Sequence, residues 1–338
     1  MKTAPDTAVL SDGVRDRHGR TISYVRISLT DVCNLRCVYC MPEKMTFRKK
    51  QELLTDEEVL RLIRLFGGIG FRKVRFTGGE PTLRSSLVEI IRATRETAGI
   101  ESVGLTTNGI LLDNLARPLR EAGLDAVNIS IDTLDRDRFR EITRWGNLED
   151  VFAGIRAATK EGLRIKLNCV VSRGWNDEQD VLALAGLTID NPWQVRFIEL
   201  MPFANNAGFQ VGRTVTESEL VEKITVRFRP LEIQNKGRLD GEARVYRIPG
   251  AAGSIGFISP VSRPFCSACN RVRVTADGIL RLCLLRDEEA DFRRRIREGE
   301  DDDSLRDALS RAIYQKPSGH DLKSDAFPNK RGMSEIGG

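Results

Sequence analysis

The sequence predicts an α/β fold in which a parallel sheet curves into a partial (β/α)6-type barrel, followed by a smaller C-terminal domain. Its 338 residues suffice for about two domains. Short β-branched runs alternate six times with amphipathic stretches between residues 21 and 200. Such alternation is typical of parallel strands joined by crossover helices. The pattern changes after Met201, which places the second unit in the C-terminal part of the chain.

Each predicted strand is a short run rich in β-branched or aromatic residues. The six runs are Thr21–Leu29, Lys73–Thr77, Ser102–Thr106, Ala126–Ile131, Arg164–Val171 and Gln194–Leu200. Two intervening helix starts show the hydroxyl-to-glutamate spacing of a capping box, namely Thr55 with Glu58 and Ser86 with Glu89. Two glycines stand where a left-handed residue would end a helix, Gly123 and Gly162.

Changes in composition predict four parts. They are an N-terminal segment (1–20), the barrel (21–235), a C-terminal domain (236–314) and a tail (315–338). Residues 202–250 are polar with no clean period, while Arg286–Tyr314 predicts one or two charged helices. The tail carries few bulky apolar groups, and composition alone favours a disordered terminus.

Composition excludes several classes of protein. Hydrophobic residues make up 41% and charged residues 30%, which excludes a mostly disordered or fibrous chain. No apolar run would span a bilayer and the N-terminus lacks a secretory signal, so we expect a cytoplasmic protein without a membrane partner. The net charge of +5 suits a small anion but is too evenly spread to favour nucleic acid. With only His18 and His320, a His-ligated metal or a Ser-His-Asp hydrolase is not expected.

Seven cysteines are the most informative part of the composition. Six form two tight groups, Cys33-x3-Cys37-x2-Cys40 and Cys266-x2-Cys269-x13-Cys283. An odd number of cysteines in a large chain without an export signal disfavours a disulfide framework, so the clusters indicate metal. The seventh, Cys169, lies in a β-branched run and is interpreted as a small core residue, with a role as hydrogen donor as the alternative.

Polar and glycine-rich segments follow the predicted strands, where parallel barrels bind ligands. They are Asp31–Cys40, Thr77–Pro81, Thr106–Gly109, Ser130–Asp132, Lys166 with Asn168, and Glu199–Pro202. Because all six fall at one rim of the barrel, we predict a single site there.

The first cysteine group can bind three corners of a cube-shaped iron–sulfur cluster and leave the fourth iron open. Structural zinc would need a fourth Cys or His nearby, and none is present, so a zinc knuckle is the weaker alternative. An open iron implies that a substrate or cofactor binds to it.

The first group, with Tyr39 before its last cysteine, resembles the radical S-adenosylmethionine superfamily. Further segments resemble the GTP 3′,8-cyclase family, whose reaction begins molybdenum cofactor biosynthesis, and the resemblance runs from about Gly13. These segments are Arg15–Arg20, Arg26–Asp31, Cys33–Pro42, Arg75–Pro81, the second cysteine group with Arg271 and Arg273, and Gly337–Gly338.

The resemblance implies two cofactors at the first site. Cys33, Cys37 and Cys40 would hold a [4Fe–4S] cluster whose open iron takes S-adenosylmethionine, and one electron would then give methionine and a 5′-deoxyadenosyl radical. By the same resemblance, the residues that contact this cofactor are Tyr39, Gly78, Gly79, Glu80, Ser130 and Met201.

The resemblance also implies a second [4Fe–4S] cluster, on Cys266, Cys269 and Cys283, whose open iron contacts the guanine of GTP. A structural cluster or a zinc ribbon is the alternative. The implied GTP contacts are Arg26, Arg75, Thr106, Lys166, Arg271 and Arg273. Guanidinium groups suit a triphosphate, and Arg271 and Arg273 alternate along a predicted strand, so both face one side.

In the implied reaction, the ribose C3′ hydrogen is abstracted and C3′ attacks C8 of guanine. Arg17 is a candidate for the final electron and proton step, by position only. The diglycine Gly337–Gly338 would enter the active site and support cyclisation, and we prefer this ordered tail to the disordered one.

Partners follow from the same resemblance. They are an external electron donor (flavodoxin-like, or dithionite in vitro), a downstream cyclic pyranopterin monophosphate synthase, and a second copy in a homodimer. Two alternatives stay open: another radical S-adenosylmethionine enzyme with an auxiliary cluster, such as a peptide-modifying maturase, and a non-catalytic iron–sulfur or zinc carrier.

Overall fold

The computed structural model describes residues 9–10, 13–203, 212–237, 239, 241–320, 322 and 331–337. Within them, twelve strands form one sheet and three short strands form another. The strands are β1 (Val9–Leu10), β2 (Gly13–Arg15), β3 (Thr21–Ile22), β4 (Tyr24–Ser28), β5 (Lys73–Thr77), β6 (Ser102–Thr107), β7 (Ala126–Ser130), β8 (Arg164–Val171), β9 (Gln194–Glu199), β10 (Glu232–Ile233), β11 (Arg244–Arg247), β12 (Ser254–Ile258), β13 (Arg271–Val274), β14 (Ile279–Arg281) and β15 (Glu289–Asp291).

Helices alternate with the strands of the large sheet. In the described ranges they are α1 (Asp56–Gly68), α2 (Leu87–Glu96), α3 (Leu112–Glu121), α4 (Arg136–Thr143), α5 (Leu148–Lys160), α6 (Gln179–Asp190), α7 (Glu217–Phe228), α8 (Phe292–Arg297), α9 (Asp302–Tyr314) and α10 (Met333–Ile336). None of these helices has the length and apolar character needed to cross a membrane.

The large sheet is an open barrel. Strands β4 to β9 are parallel neighbours in chain order, and the sheet has the order β10-β11-β12-β9-β8-β7-β6-β5-β4-β13-β14-β15. Its ends are not paired with each other, which confirms the predicted partial barrel. Later strands extend both edges, since β12 lies parallel to β9 and β13 lies parallel to β4.

Alternation along the strands separates an apolar face from a polar one. On β4, Val25 and Ile27 are fully buried in the main core, which they share with Leu62 and Phe66 of α1. Arg26, between them, points to the other face and lines the cavity at the centre of the barrel. Since successive side chains of a strand face opposite ways, the helices cover one face and the interior stays polar.

One of the two predicted capping boxes is confirmed and the other is wrong. Thr55 Oγ1 accepts from the Glu58 amide at 3.2 Å, and Glu58 accepts from the Thr55 amide at 2.8 Å. Ser86 makes no such cap, because its hydroxyl donates instead to Asp56 Oδ1 at 2.8 Å. A partner from another helix therefore outcompetes the local bond to the amide near Glu89.

The predicted helix-ending glycines are confirmed as left-handed, with φ of +98° at Gly123 and +68° at Gly162. The first predicted strand is divided, because β3 pairs with β2 in the small sheet while β4 joins the large one. The other five runs agree with β5 to β9 to within one residue at each end. The stretch predicted to form one or two charged helices, Arg286–Tyr314, forms two, α8 and α9.

The described parts of residues 202–250 are more regular than predicted. Thr216 and Glu219 form a capping box that starts α7, and Leu220 and Ile224 bury its apolar side in the main core. Few positions of α7 are apolar, so the helical periodicity of apolar residues could not be recognised among its charged residues. The division at 235 and 236 stays a prediction, and strands from both sides of it belong to the same sheet.

Candidate active site

One cavity at the centre of the barrel brings the two cysteine groups together. Of the residues predicted for the site, those that line it are Arg26, Cys33, Cys37, Tyr39, Cys40, Gly78, Gly79, Glu80, Thr106, Ser130, Met201, Cys266, Cys269, Arg271, Arg273 and Cys283. Residues more than 200 positions apart in sequence thus share one space, because β13 lies next to β4.

The first cysteine loop follows β4 and is fixed by backbone hydrogen bonds. The amides of Arg36 and Val38 donate to carbonyls at the end of α4, both at 3.0 Å, and the Cys40 amide donates to Cys37 O at 2.9 Å. Burial raises the pKa of the Cys33 thiol to about 11 and that of Cys40 to about 12. These thiols are therefore poor acids unless a metal binds them.

Tyr39 is oriented by a buried carboxylate. Its hydroxyl donates to Asp132 Oδ2 at 2.8 Å, and the Val170 amide donates to Asp132 Oδ1 at 2.8 Å. Burial raises the pKa of Asp132 to about 6. The sequence singled out Asp132 as part of a strand-end segment but did not predict this role.

The glycines after β5 are required by the first cysteine loop itself. A Cβ on Gly79 would lie 2.3 Å from Val32 O and 2.5 Å from Asp31 O, and the Gly79 amide donates to Thr30 O at 2.6 Å. Any side chain at Gly79 would push the loop away. These glycines were predicted to contact the cofactor, and the structure adds this steric reason for their presence.

Glu80 links the segments that follow β5 and β6 through hydrogen bonds. Its carboxylate accepts from the hydroxyls of Thr82 at 2.6 Å and Thr107 at 2.7 Å, and from the Asn108 amide at 2.7 Å. Burial raises the pKa of Glu80 even so. The loops after β5 and β6 are thereby tied together at the edge of the cavity.

The second cysteine group lies opposite and has cationic neighbours. Cys266 and Cys269 lie on a short turn before β13, and Cys283 follows β14. Burial raises the pKa of Cys283, and it would do the same at Cys269, but Arg271 and Lys316 outweigh burial and lower the pKa of Cys269 to about 7.

Residues 316–320 pack against the second group, and the sequence did not predict them. Lys316 is only 2% exposed and its ammonium donates to Leu282 O, next to Cys283. Arg20 donates to Cys266 O at 2.7 Å and to Pro317 O at 2.6 Å. A buried lysine in a polar tail gives no distinctive pattern, so only the packing identifies it.

Arginines crowd the floor of the cavity. Arg26, Arg271 and Arg273 line it. Arg75 is buried beside Arg26 but does not line the cavity, because it donates to Tyr24 Oη at 3.0 Å and Leu105 O at 2.7 Å. Lys166, half-buried on β8, also lies outside the lining.

Arg196 is buried near Arg75 and Arg26 but does not line the cavity, and two polar atoms lie on the cavity wall. Arg196 Nε donates to Asn168 Oδ1 at 2.9 Å, and burial lowers the pKa of Arg196 to about 10. Thr106 Oγ1 and Asn128 Oδ1 are buried on the cavity wall and have no hydrogen-bond partner among the described residues. Buried cations and unpaired polar atoms favour a polar, anionic ligand.

The described part of the tail enters the barrel. Arg273 Nη1 donates to Gly337 O at 2.7 Å. Gly337 has φ +82°, and a Cβ there would lie 2.8 Å from Ser28 Cβ and 3.1 Å from Thr77 Cγ2. Gly337 therefore lies against the inner face of β4 and β5. Gly338 lies outside the described residues.

Two further residues lie away from the cavity wall. Arg17 is exposed, its amide donates to Tyr314 O at 3.1 Å, and its guanidinium donates to Gln315 Oε1 at 3.4 Å. Its predicted role stays a prediction, and it does not line the cavity. Cys169 is 1% exposed within the main core and accepts from Asn176 Nδ2 at 3.5 Å, which confirms it as a core residue.

The donor chemistry of the two groups fits iron–sulfur clusters. Each group offers three thiols to the same cavity, and thiolates are the ligands that such clusters prefer. Among the described residues, no three Cys, His, Asp or Glu side chains form a group that could hold a single metal ion. Three thiols suit an iron–sulfur cluster with one open iron, whereas structural zinc normally has four ligands.

Comparisons with known proteins identify the class. A family model for the radical SAM superfamily matches residues 27–185, and one for Molybdenum Cofactor Synthesis C matches residues 193–322. SuiB from Streptococcus suis, solved with S-adenosylmethionine bound, has a TM-score of 0.60 at 14% identity, covering 90% of this chain and 69% of its own. Methylornithine synthase (PylB) has a TM-score of 0.51 at 18% identity, covering 88% and 83%. The fold and the three-cysteine loop define a radical S-adenosylmethionine enzyme, which works with a [4Fe–4S] cluster and S-adenosylmethionine.

Relatives that match over their full length identify the family within this superfamily. The GTP 3′,8-cyclases of Pelotomaculum thermopropionicum and Alkaliphilus metalliredigens are each 43% identical to this chain, covering 96% of it and 100% of themselves. That of Clostridium perfringens is 42% identical with the same coverage. The chain belongs to the GTP 3′,8-cyclase family.

Proposed function

We propose that this chain converts GTP to (8S)-3′,8-cyclo-7,8-dihydroguanosine 5′-triphosphate, the first step of molybdenum cofactor biosynthesis. The observation that carries the proposal is that one cavity joins both cysteine groups to a floor of buried arginines. A carrier of iron–sulfur clusters has no use for such a floor, whereas a nucleoside triphosphate needs it.

The first cluster is held by Cys33, Cys37 and Cys40 in this proposal. With S-adenosylmethionine bound, it supplies a carbon radical that removes a hydrogen atom from substrate. The residues that hold S-adenosylmethionine are Tyr39, Gly78, Gly79, Glu80, Ser130 and Met201. Asp132 fixes Tyr39 through its 2.8 Å hydrogen bond, and Glu80 fixes the loop that carries Gly78 and Gly79.

Cys266, Cys269 and Cys283 would hold a second [4Fe–4S] cluster, whose open iron would take the guanine. The triphosphate extends toward the arginine floor. Its contacts are Arg26, Thr106, Arg271 and Arg273 on the cavity wall, with Arg75 and Lys166 adding positive charge from just outside it.

On the substrate, the C3′–H bond breaks and a bond from C3′ to C8 forms. The resulting radical takes up one electron and one proton. Arg17 stays the candidate for this step by position only, and it is exposed and does not line the cavity. The diglycine Gly337–Gly338 supports cyclisation, and Gly337 lies beside Arg273. The partners are a flavodoxin-like electron donor, a cyclic pyranopterin monophosphate synthase that takes the product, and a second copy of the chain.

The test is an anaerobic assay of iron-reconstituted protein with S-adenosylmethionine, dithionite and GTP deuterated at C3′. We expect deuterium in the 5′-deoxyadenosine, measured by mass spectrometry. Deoxyadenosine without deuterium would move the substrate or the attacked position. No deoxyadenosine from protein with intact clusters would favour a carrier instead.

A further inference from the structure

A carboxylate lies among the arginines at the floor of the cavity. Glu242 Oε2 is 3.2 Å from Arg271 Nη1, and Glu242 Oε1 is 3.7 Å from Arg196 Nη1. Among the described residues that line the cavity, the other acids are Glu80 and Asp132, which neighbour the first cysteine group. Glu242 is therefore the acid that faces the proposed phosphate site.

Glu242 is ionised and shared among several cations. Burial alone would raise its pKa, but Arg271, Arg196 and Arg26 outweigh burial and hold the pKa of Glu242 well below its usual range. The arginines repel one another, and burial together with Arg26 and Arg271 lowers the pKa of Arg273. The carboxylate thus supplies negative charge that offsets the repulsion among the arginines.

The arginines do not depend on Glu242 for their orientation. Arg196 also donates to Asn168, Arg273 donates to Gly337 O, and the Arg271 guanidinium lies over the Phe265 ring, 5.2 Å from its centroid. Glu242 therefore occupies an anion position that other groups have already built.

We propose that Glu242 is an internal competitor of the substrate triphosphate. It occupies the anion position between Arg196 and Arg271 in the ligand-free enzyme and leaves this position when GTP binds. The inference rests on the proposed function, which sends the triphosphate to these arginines. Because the carboxylate must be displaced, the site rejects weakly charged ligands and admits a polyphosphate chain.

The experiment measures binding to anaerobic, cluster-loaded protein by isothermal titration calorimetry. The ligands are GTP, inorganic tripolyphosphate and guanosine. In Glu242→Gln, we expect the Kd for GTP and for tripolyphosphate to fall by about tenfold, because no charged group competes for Arg271. The Kd for guanosine should not change, since guanosine carries no phosphate.

Glu217→Gln is the matched control. Glu217 is buried and pairs with Arg244 at 3.1 Å and Arg263 at 3.0 Å, but it does not line the cavity. Its replacement should leave all three affinities unchanged. An equal gain in this variant would overturn the proposal, since the effect would then come from net charge and not from position.

The outcomes separate the two proposals. If the wild type binds neither GTP nor tripolyphosphate, the proposed function fails and this inference fails with it. If the wild type binds both and Glu242→Gln binds them no more tightly, only the role of Glu242 is overturned. A crystal structure of the wild type with GTP decides the case even if the variant does not fold. In that structure the distance between Arg271 Nη1 and Glu242 Oε2, now 3.2 Å, must exceed that of a salt bridge. An unchanged distance would show that GTP does not displace Glu242.

Discussion

Each of the two cysteine groups offers three thiols to one cavity, but their charged neighbours differ in sign. Asp132 acts on Cys37 and Cys40, and Glu80 acts on Cys33, so acidic neighbours add to burial in raising these thiol pKa values. At the second group, cations lower the pKa of Cys269 to about 7.

This difference indicates that the number of cysteine ligands alone does not determine the function of a cluster site. An acidic, buried surrounding stabilises a cationic ligand such as a sulfonium with its ammonium group. A surrounding with Arg271 and Lys316 favours an anionic cluster and an anionic substrate. The cavity thus changes sign along its length, which would orient two oppositely charged ligands in one space.

The largest effects should come from removing one ligand from each group. Cys40→Ala should abolish 5′-deoxyadenosine formation, because no ligand for the first cluster can be spared. Cys269→Ala should keep 5′-deoxyadenosine formation and lose the cyclised product. Each variant should lose about four of about eight irons. Cys169→Ala, which lies outside both groups, is the control and should keep the irons and the product. If Cys40→Ala and Cys269→Ala behaved alike, the two clusters would not differ in function.

Gly337→Ala should reduce cyclised product by about 100-fold or more while both clusters assemble. The added methyl would lie 2.8 Å from Ser28 Cβ at a φ of +82°, so the tail must leave its place beside Arg273. Product analysis with iron content measures this. Gly250→Ala is the control, because its φ is +80° but nothing lies near the new methyl. Full activity of Gly337→Ala would show that the tail position does not matter.

Much of this site follows from the sequence, and the missing part has a common cause. Cysteine spacing and strand ends identified residues that are close in sequence, such as Gly78 to Glu80. Arg196, Glu242 and Lys316 were missed because each acts through residues distant along the chain, and single charges in a chain with 53 basic and 48 acidic residues carry no pattern. The fold was predictable because its strands and helices alternate locally. The hydrogen bond of the Ser86 hydroxyl was not predictable, because its partner, Asp56, is on α1.

Lys316→Met should lower the reduction potential of the second cluster by tens of millivolts and leave the first unchanged. A nearby positive charge stabilises the more negative, reduced state, so its removal disfavours reduction. A redox titration followed by electron paramagnetic resonance measures both clusters. Lys223→Met, which removes a lysine paired with Glu178 outside the cavity, should shift neither potential. A shift of the first cluster equal to that of the second would contradict the proposed polarity.

The smallest effect is a difference in thiol reactivity in metal-free protein. A thiolate reacts with iodoacetamide and a thiol does not, so reactivity rises with pH until the pKa is passed. Alkylation of Cys269 should reach half of its plateau rate near pH 7 and level off above that pH, while that of Cys33 should still rise toward pH 11. Peptide mass spectrometry at several pH values measures both rates. Matching pH profiles would mean that the cations do not reach Cys269.

The pairing of β4 with β13 also has a consequence for synthesis of the chain. Val25 pairs with Val272, so β4 cannot complete its pairing until β13, near the end of the chain, has been synthesised. At typical translation rates the intervening segment takes roughly 10 to 50 s to emerge from the ribosome. During that time the open edge of β4 is a template for wrong pairing. Such long-range contacts slow folding, and a fragment ending before residue 271 would keep that edge exposed.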